Sequence, residues 1–103
     1  RRGPLSDLAP LLDEAADVAG VARRSAGERV EYLVGDRLVA VLEAAGVEFR
    51  LRPDVVGAAL RTPDVHASPR GPEWVAFRPR SLDRFALDRV AAWFAFAVRG
   101  AGG

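Results

Sequence analysis

The chain contains no cysteine, lysine, isoleucine, asparagine, glutamine or methionine, and only one histidine, His66. Without cysteine there is no disulfide, no thiolate metal site and no thiol nucleophile. One histidine cannot supply the usual ligand sets of a catalytic metal, and the carboxylates are scattered singly along polar faces. No apolar run approaches the ~18–20 residues needed to span a bilayer, so no membrane partner is expected. The opening, RRGPLSDL, carries neither a Met nor an apolar signal core, and cytoplasm is the default compartment.

Charge of one sign is missing as well. Fifteen arginines face fourteen acids, for a formal net charge of +1, which gives no net field to draw in nucleic acid or anionic lipid. The residues that dominate (Ala, Val, Gly, Arg, Leu, Pro, Asp) are those with GC-rich codons, and they point to a GC-rich bacterial genome before any function. The 103 residues suit a single domain large enough to fold around one core without staples.

Leu5, Leu8, Leu12, Ala15, Ala16 and Ala19 recur at helical spacing behind a capping Ser6. Pro10 either delays that helix or kinks it. Gly20 ends it, and ARRSAGER reads as a polar connection. The period then changes to two. Val30, Tyr32 and Val34 alternate with Glu31 and Leu33, Gly35-Asp36 makes a hairpin turn, and Arg37 to Leu42 returns as an almost wholly apolar strand. In VEFRLR, Val47, Phe49 and Leu51 point one way and Glu48, Arg50 and Arg52 the other. Pro53 opens a short helix with Val55, Ala58, Ala59 and Leu60 toward the sheet. HASPRGP reads as a loop, and EWVAF as a fourth strand. Ser81 is the expected cap of a last helix with Asp83 in its first turn.

The predicted fold is α+β, a two-layer domain with a four-stranded, mostly antiparallel sheet in the order α-β-β-β-α-β-α, and one domain over residues 1–103. Residues 1–3 and 100–103 are expected to be disordered. The expected core comprises Leu38, Val39, Val41, Phe49, Leu51, Leu60, Val75, Phe77, Phe85, Val90 and Trp93.

Three landmarks between Val30 and Val98 carry a resemblance. A strand ends in Arg52-Pro53-Asp54 before a short helix, Trp74-Val75 leads a strand after a Pro-rich loop, and a long closing helix has acids near its start. With these, about two-thirds of the chain resembles the MmcQ/YjbR-like family and the related bacterial "luciferase-domain" small proteins. The resemblance implies a compact α+β domain with helices packed on an antiparallel sheet. It also implies the family's usual description, uncharacterised or DNA-binding, with no catalytic residues to carry over. Arg50 and Arg52 stand on the third strand where the family commonly has a lysine.

Motifs for catalysis are lacking. His66 alternates with Asp64 and Ser68, but a triad needs the three joined by hydrogen bonds in space. No G-x-S-x-G surrounds any serine, and neither G-x-x-x-x-G-K-[ST] nor G-x-G-x-x-G occurs. No catalytic residue, metal or cofactor is expected, and the chain is read as a non-enzymatic binding module. Two constellations remain. Arg50, Arg52, Arg78 and Arg80 would form a patch for nucleic-acid phosphates if their strands share a face; otherwise they line a solvated face beside Glu48 and Glu73. In the last helix, the nine residues from Val90 to Val98 include no polar side chain. Trp93, Phe94, Phe96 and Val98 point around more than one side, and a helix apolar all round is normally buried all round. The first helix, a second copy of the chain in a homodimer, or another protein partner would cover it. A small molecule bound between sheet and helices is a third reading.

Overall fold

The structure, a computed structural model, describes residues 4–102. Helix α1 (Pro4–Ala19) leads into strands β1 (Ala22–Ala26), β2 (Arg29–Val34), β3 (Arg37–Glu43) and β4 (Gly46–Arg50). Helix α2 (Pro53–Leu60), strands β5 (Val65–Ala67) and β6 (Trp74–Phe77), and helix α3 (Arg84–Gly102) follow. The six strands form one antiparallel sheet in the order β1-β2-β3-β4-β6-β5.

The period-two pattern sets the two faces. One face carries the rows Val30–Leu42–Val47–Phe77–Val65 and Tyr32–Ala40–Phe49–Val75. The helices pack on this face and close one contiguous core with Leu8, Leu12 and Ala16 of α1, Val56 and Ala59 of α2, and Val90, Trp93, Phe94 and Ala97 of α3. Phe94 meets Tyr32 edge-on at 5.6 Å between ring centroids, and Trp93 lies 5.2 Å from Phe77 and 6.2 Å from Phe49. These rings fill the space between sheet and helices. Between Tyr32 and Leu33 the register slips, so that Val39 is an extra residue on β3, a bulge that sharpens the local twist.

The helix ends follow the sequence chemistry with two shifts. At the end of α1, Gly20 adopts φ +72, Val21 N–H donates to the Ala16 carbonyl at 2.8 Å and Gly20 N–H to that of Asp17 at 3.4 Å. This is a Schellman closure, which needs a left-handed residue that glycine supplies without strain. The helix begins at Pro4, so Ser6 lies inside it rather than at its cap, and it runs through Pro10. At α3 the cap is Asp83 rather than Ser81: its Oδ1 accepts from Ala86 N–H at 2.9 Å, and a carboxylate there also suits the helix dipole.

Other expectations are corrected. The sheet has six strands, not four. ARRSAGER holds β1, whose polar, arginine-bearing sequence is that of a charged edge strand rather than a loop. The HASPRGP loop begins in β5, only three residues long and at the other edge. Residues 100–102 are helical, while the expectation of disorder at 1–3 and 103 lies outside the described residues. Leu38 is only part-buried, and Leu60 and Phe85 are exposed. In α2, Val56 and Ala59 are buried, Val55 is part-buried and Ala58 is exposed, because the helix starts at Pro53 and turns its i, i+3 pair to the sheet.

One polar contact ties α1 to the sheet. The fully buried Tyr32 donates its hydroxyl to Asp13 Oδ1 at 3.0 Å, and Arg23 Nη1 holds the same oxygen at 2.8 Å. Burial first, and then this hydrogen bond, raises the Tyr32 pKa above the ordinary tyrosine value of 10.0. The folded state therefore holds the phenolic proton more tightly than the unfolded state. That contribution to stability is complete below about pH 10 and is lost as pH rises through the higher folded value. Tyr32 is the only tyrosine, so tyrosinate absorbance reads this group alone. Ionisation is expected well above pH 10 and together with unfolding; titration of the folded protein at the ordinary value would contradict the assignment.

Candidate functional site

The sheet face away from the helices carries Arg50, but the four arginines singled out by the sequence do not form one patch. Arg50 pairs with Trp74 across β4 and β6, whereas Arg78 follows β6 four residues beyond Trp74, about 13 Å away along the strand. Arg50 Nη2 lies 3.0 Å from Glu73, Arg80 Nε 3.2 Å from Asp64, and Arg52 Nε 3.8 Å from Asp54. Arg52 stands at the start of α2, and Arg78 is exposed. The four thus divide between opposite ends of the sheet, and three of them have an acid beside them.

Between these ends lies a row read directly from the register: Arg24, Glu31, Val41, Glu48, Ala76, His66. Its middle members are buried although no helix covers them; Val41 is fully buried, and Glu31 and Glu48 are each 7% exposed. Arginine side chains and a loop supply the cover. Arg24 Nε donates to Glu31 Oε1 at 2.9 Å. Ser68 donates its hydroxyl to Glu48 Oε2 at 2.7 Å, and Arg70 Nε donates to Oε1 at 2.5 Å. The Arg70 guanidinium also lies 5.5 Å from the Trp74 ring centroid, a cation–π contact. The segment from Ser68 to Trp74 is thereby folded onto the sheet. Ser68 is committed to Glu48 and Asp64 to Arg80, so the His66–Asp64–Ser68 alternation does not come together as a relay. Among the described residues, no group of three or more metal-ligating side chains converges, and no helix is long and apolar enough to cross a membrane.

The helical layer answers the question of the apolar last helix in part. Trp93 and Phe94 are core residues, 8% and 2% exposed, and do not form a free surface. The positions turned outward between Val90 and Val98 are mostly alanines: Ala91, Ala92 and Ala95, with Phe96. Phe96 is 41% exposed, and the Arg99 guanidinium sits 4.9 Å from its ring centroid. Helix α1 covers one flank, as expected of the first helix, yet the cover is incomplete. Between the two helices runs an open groove of about 500 Å³. Leu11, Ala15 and Val18 form one wall and Ala91, Ala95 and Val98 the other, with Phe94 also lining it. Val18 is 84% exposed. Among the described residues, the only charged ones lining it are Glu14 on the α1 wall and Arg99 on the α3 wall.

Of the residues expected at an interaction surface, Phe94 and Val98 line this groove, Phe96 is exposed on α3 outside its lining, and Trp93 is buried in the core. The α1 wall was not singled out. Its signal is a second apolar row, Leu11, Ala15 and Val18 at i, i+4, i+7, beside the buried row Leu8, Leu12, Ala16. Together they make an apolar stripe wider than one neighbour can cover.

No protein-family model and no curated protein matches the chain. Among solved structures, it is similar to the crystal structure of a protein from Pseudomonas syringae, a Northeast Structural Genomics Consortium target. The TM-score is 0.66 over 89% of this chain and 96% of that one, at 11% sequence identity. At such identity the likeness is one of fold: a small α+β domain of the same extent.

Proposed function

We propose that the chain is a protein-interaction module that self-associates through the α1/α3 face. The observation that carries this is the open apolar groove with Val18 standing 84% exposed at its edge. An exposed apolar surface of this kind, rimmed by charge, is characteristic of interaction sites. A second copy is the occupant because the groove suits itself: its walls carry one acid and one base, Glu14 and Arg99, and a two-fold axis running along the groove sets unlike walls against each other. The four arginines support a phosphate-contact reading less well, since they are split between two ends of the sheet and three are set beside carboxylates.

Val18→Asp and Ala95→Asp test the assignment. Both residues are exposed in one copy, so the monomer's melting temperature should stay within the shift of an ordinary surface substitution, about 0.5 kcal/mol. Each would bury an unpaired carboxylate in the dimer and weaken it by at least about a hundredfold. Light scattering coupled to gel filtration reads the mass; variants with unchanged mass at matched concentration would remove this surface from the interface.

A further inference from the structure

The self-association reading leaves open how the two copies are turned against each other. A two-fold axis that brings two copies face to face lies in the plane of that face. An axis along the groove sets α1 of each copy on α3 of the other and keeps every residue at its own height. An axis across the groove sets α1 on α1 and α3 on α3, with heights reversed. Two observations fix the heights. Helices α1 and α3 run the same way: α1 leads through Gly20 to Ala22, which pairs with Leu33 beside the β2–β3 turn. The end of α3 reaches that same end of the sheet, where Gly100 lies against the Arg52 side chain beyond β4. The helices are also in step, because Asp13 accepts from the Tyr32 hydroxyl while Phe94 packs edge-on against the Tyr32 ring. Asp13 therefore stands near the level of Phe94, Glu14 near Ala95, and Val18 near Arg99.

Resting on that reading, we propose that the axis runs along the groove, so that the two copies stack in parallel with α1 of each on α3 of the other. The charges carry the choice. The Arg99 guanidinium sits 4.9 Å from the Phe96 ring centroid, leaning back toward the start of α3 as helical side chains do. That brings it close to the level of Glu14. An axis along the groove thus sets each Glu14 against the partner's Arg99, and the match occurs twice. Val18, left 84% exposed in one copy, then meets the partner's Val98 and the partner's Ala95. An axis across the middle of the groove would instead bring Glu14 to within about 3 Å of the height of the partner's Glu14, since it stands one residue from the midpoint at Ala15. Two carboxylates would face each other there, with both arginines on the opposite wall. Rim charges of this kind set orientation more than affinity.

Two measurements on the whole chain read this arrangement. Because the chain has no cysteine of its own, Arg84→Cys carries one spin label per copy at the exposed start of α3, outside the groove. Arg84 lies about 16 Å along the helix from Ala95, so an axis across the middle of the groove would part the two labels by at least ~33 Å. An axis along the groove leaves them level, parted only by the width of the stacked helices and the label arms, about 25 Å or less. Pulsed dipolar spectroscopy should find the shorter distance. Glu14→Ala, at an exposed position, gives a second reading of opposite sign in the two arrangements. It should weaken the parallel dimer by roughly three- to tenfold in sedimentation velocity at low salt, through two lost attractions, whereas it would relieve a repulsion in the other. Labels ~33 Å or more apart, or a dimer tightened by Glu14→Ala, overturn the arrangement while sparing self-association. A wild type that stays monomeric overturns both.

Discussion

Gly46→Ala is expected to lower the melting temperature by roughly 15–30 °C, the equivalent of about 4 kcal/mol in a domain of this size. Gly46 opens β4 with φ +155, and a methyl group there would collide with the carbonyl oxygen of Phe77 and crowd Arg78 Cα. Those neighbours are backbone, not the yielding end of a side chain. Phe77 pairs with Val47 on one side and Val65 on the other. Relief therefore means opening the β4–β6 ladder next to the core, and part of the loss is strain at a φ that L side chains rarely adopt. Gly57→Ala is the control. Gly57 is exposed in α2, and a methyl group on its Cα would meet nothing within 4 Å, so alanine there should raise stability by about 0.5–1 kcal/mol. Thermal denaturation followed by circular dichroism checks both. A Gly46→Ala protein that melts near the wild-type temperature would show that β4 and β6 do not approach this closely.

The second large effect is expected at Arg70. Removing its guanidinium leaves the Glu48 carboxylate 7% exposed with only the Ser68 hydroxyl as partner. Breaking a fully buried ion pair from one side costs about 3–5 kcal/mol. The Arg70 side chain is 26% exposed, which allows water to take over some of its role, and about 2–3 kcal/mol is the expected loss for Arg70→Ala. The asymmetry is the sharper test. Arg70→Ala combined with Glu48→Gln should be more stable than Arg70→Ala alone, because the orphaned charge is gone. Urea denaturation of the three proteins decides; equal midpoints for the single and double variants would mean that the loop, rather than the charge, is what Arg70 supports.

The parts of the fold that could be read from sequence are those where burial is one-sided and periodic. The alternation in VEFRLR and EWVAF placed Phe49, Val75 and Phe77 on the core face, and Gly35-Asp36 and Pro53 marked a turn and a helix start where they occur. β1 and β5 were missed for a common reason. Both are edge strands, one polar and one three residues long, so neither has two neighbours to demand an apolar alternation. Glu48 was read correctly as pointing away from the helices, yet its burial depends on Arg70, 22 residues on, and no local pattern announces such a cover. The same limit applied to the site. Trp93 and Phe94 drew attention because they are large, but large apolar side chains find the core first; what remained outside was a row of alanines and Val18. Whether Arg50 and Arg78 share an end of the sheet depends on strand order, which local spacing does not encode.

The central claim is that this chain pairs with itself through α1 and α3, and sedimentation equilibrium of the unmodified protein tests it most directly. From low micromolar to submillimolar concentration, the weight-average mass should climb from the 11.0 kDa of one chain toward twice that value and level off there. A plateau at two copies is the mark of a closed two-fold interface. A mass that stays at one chain throughout, or rises past two without levelling, would contradict the account.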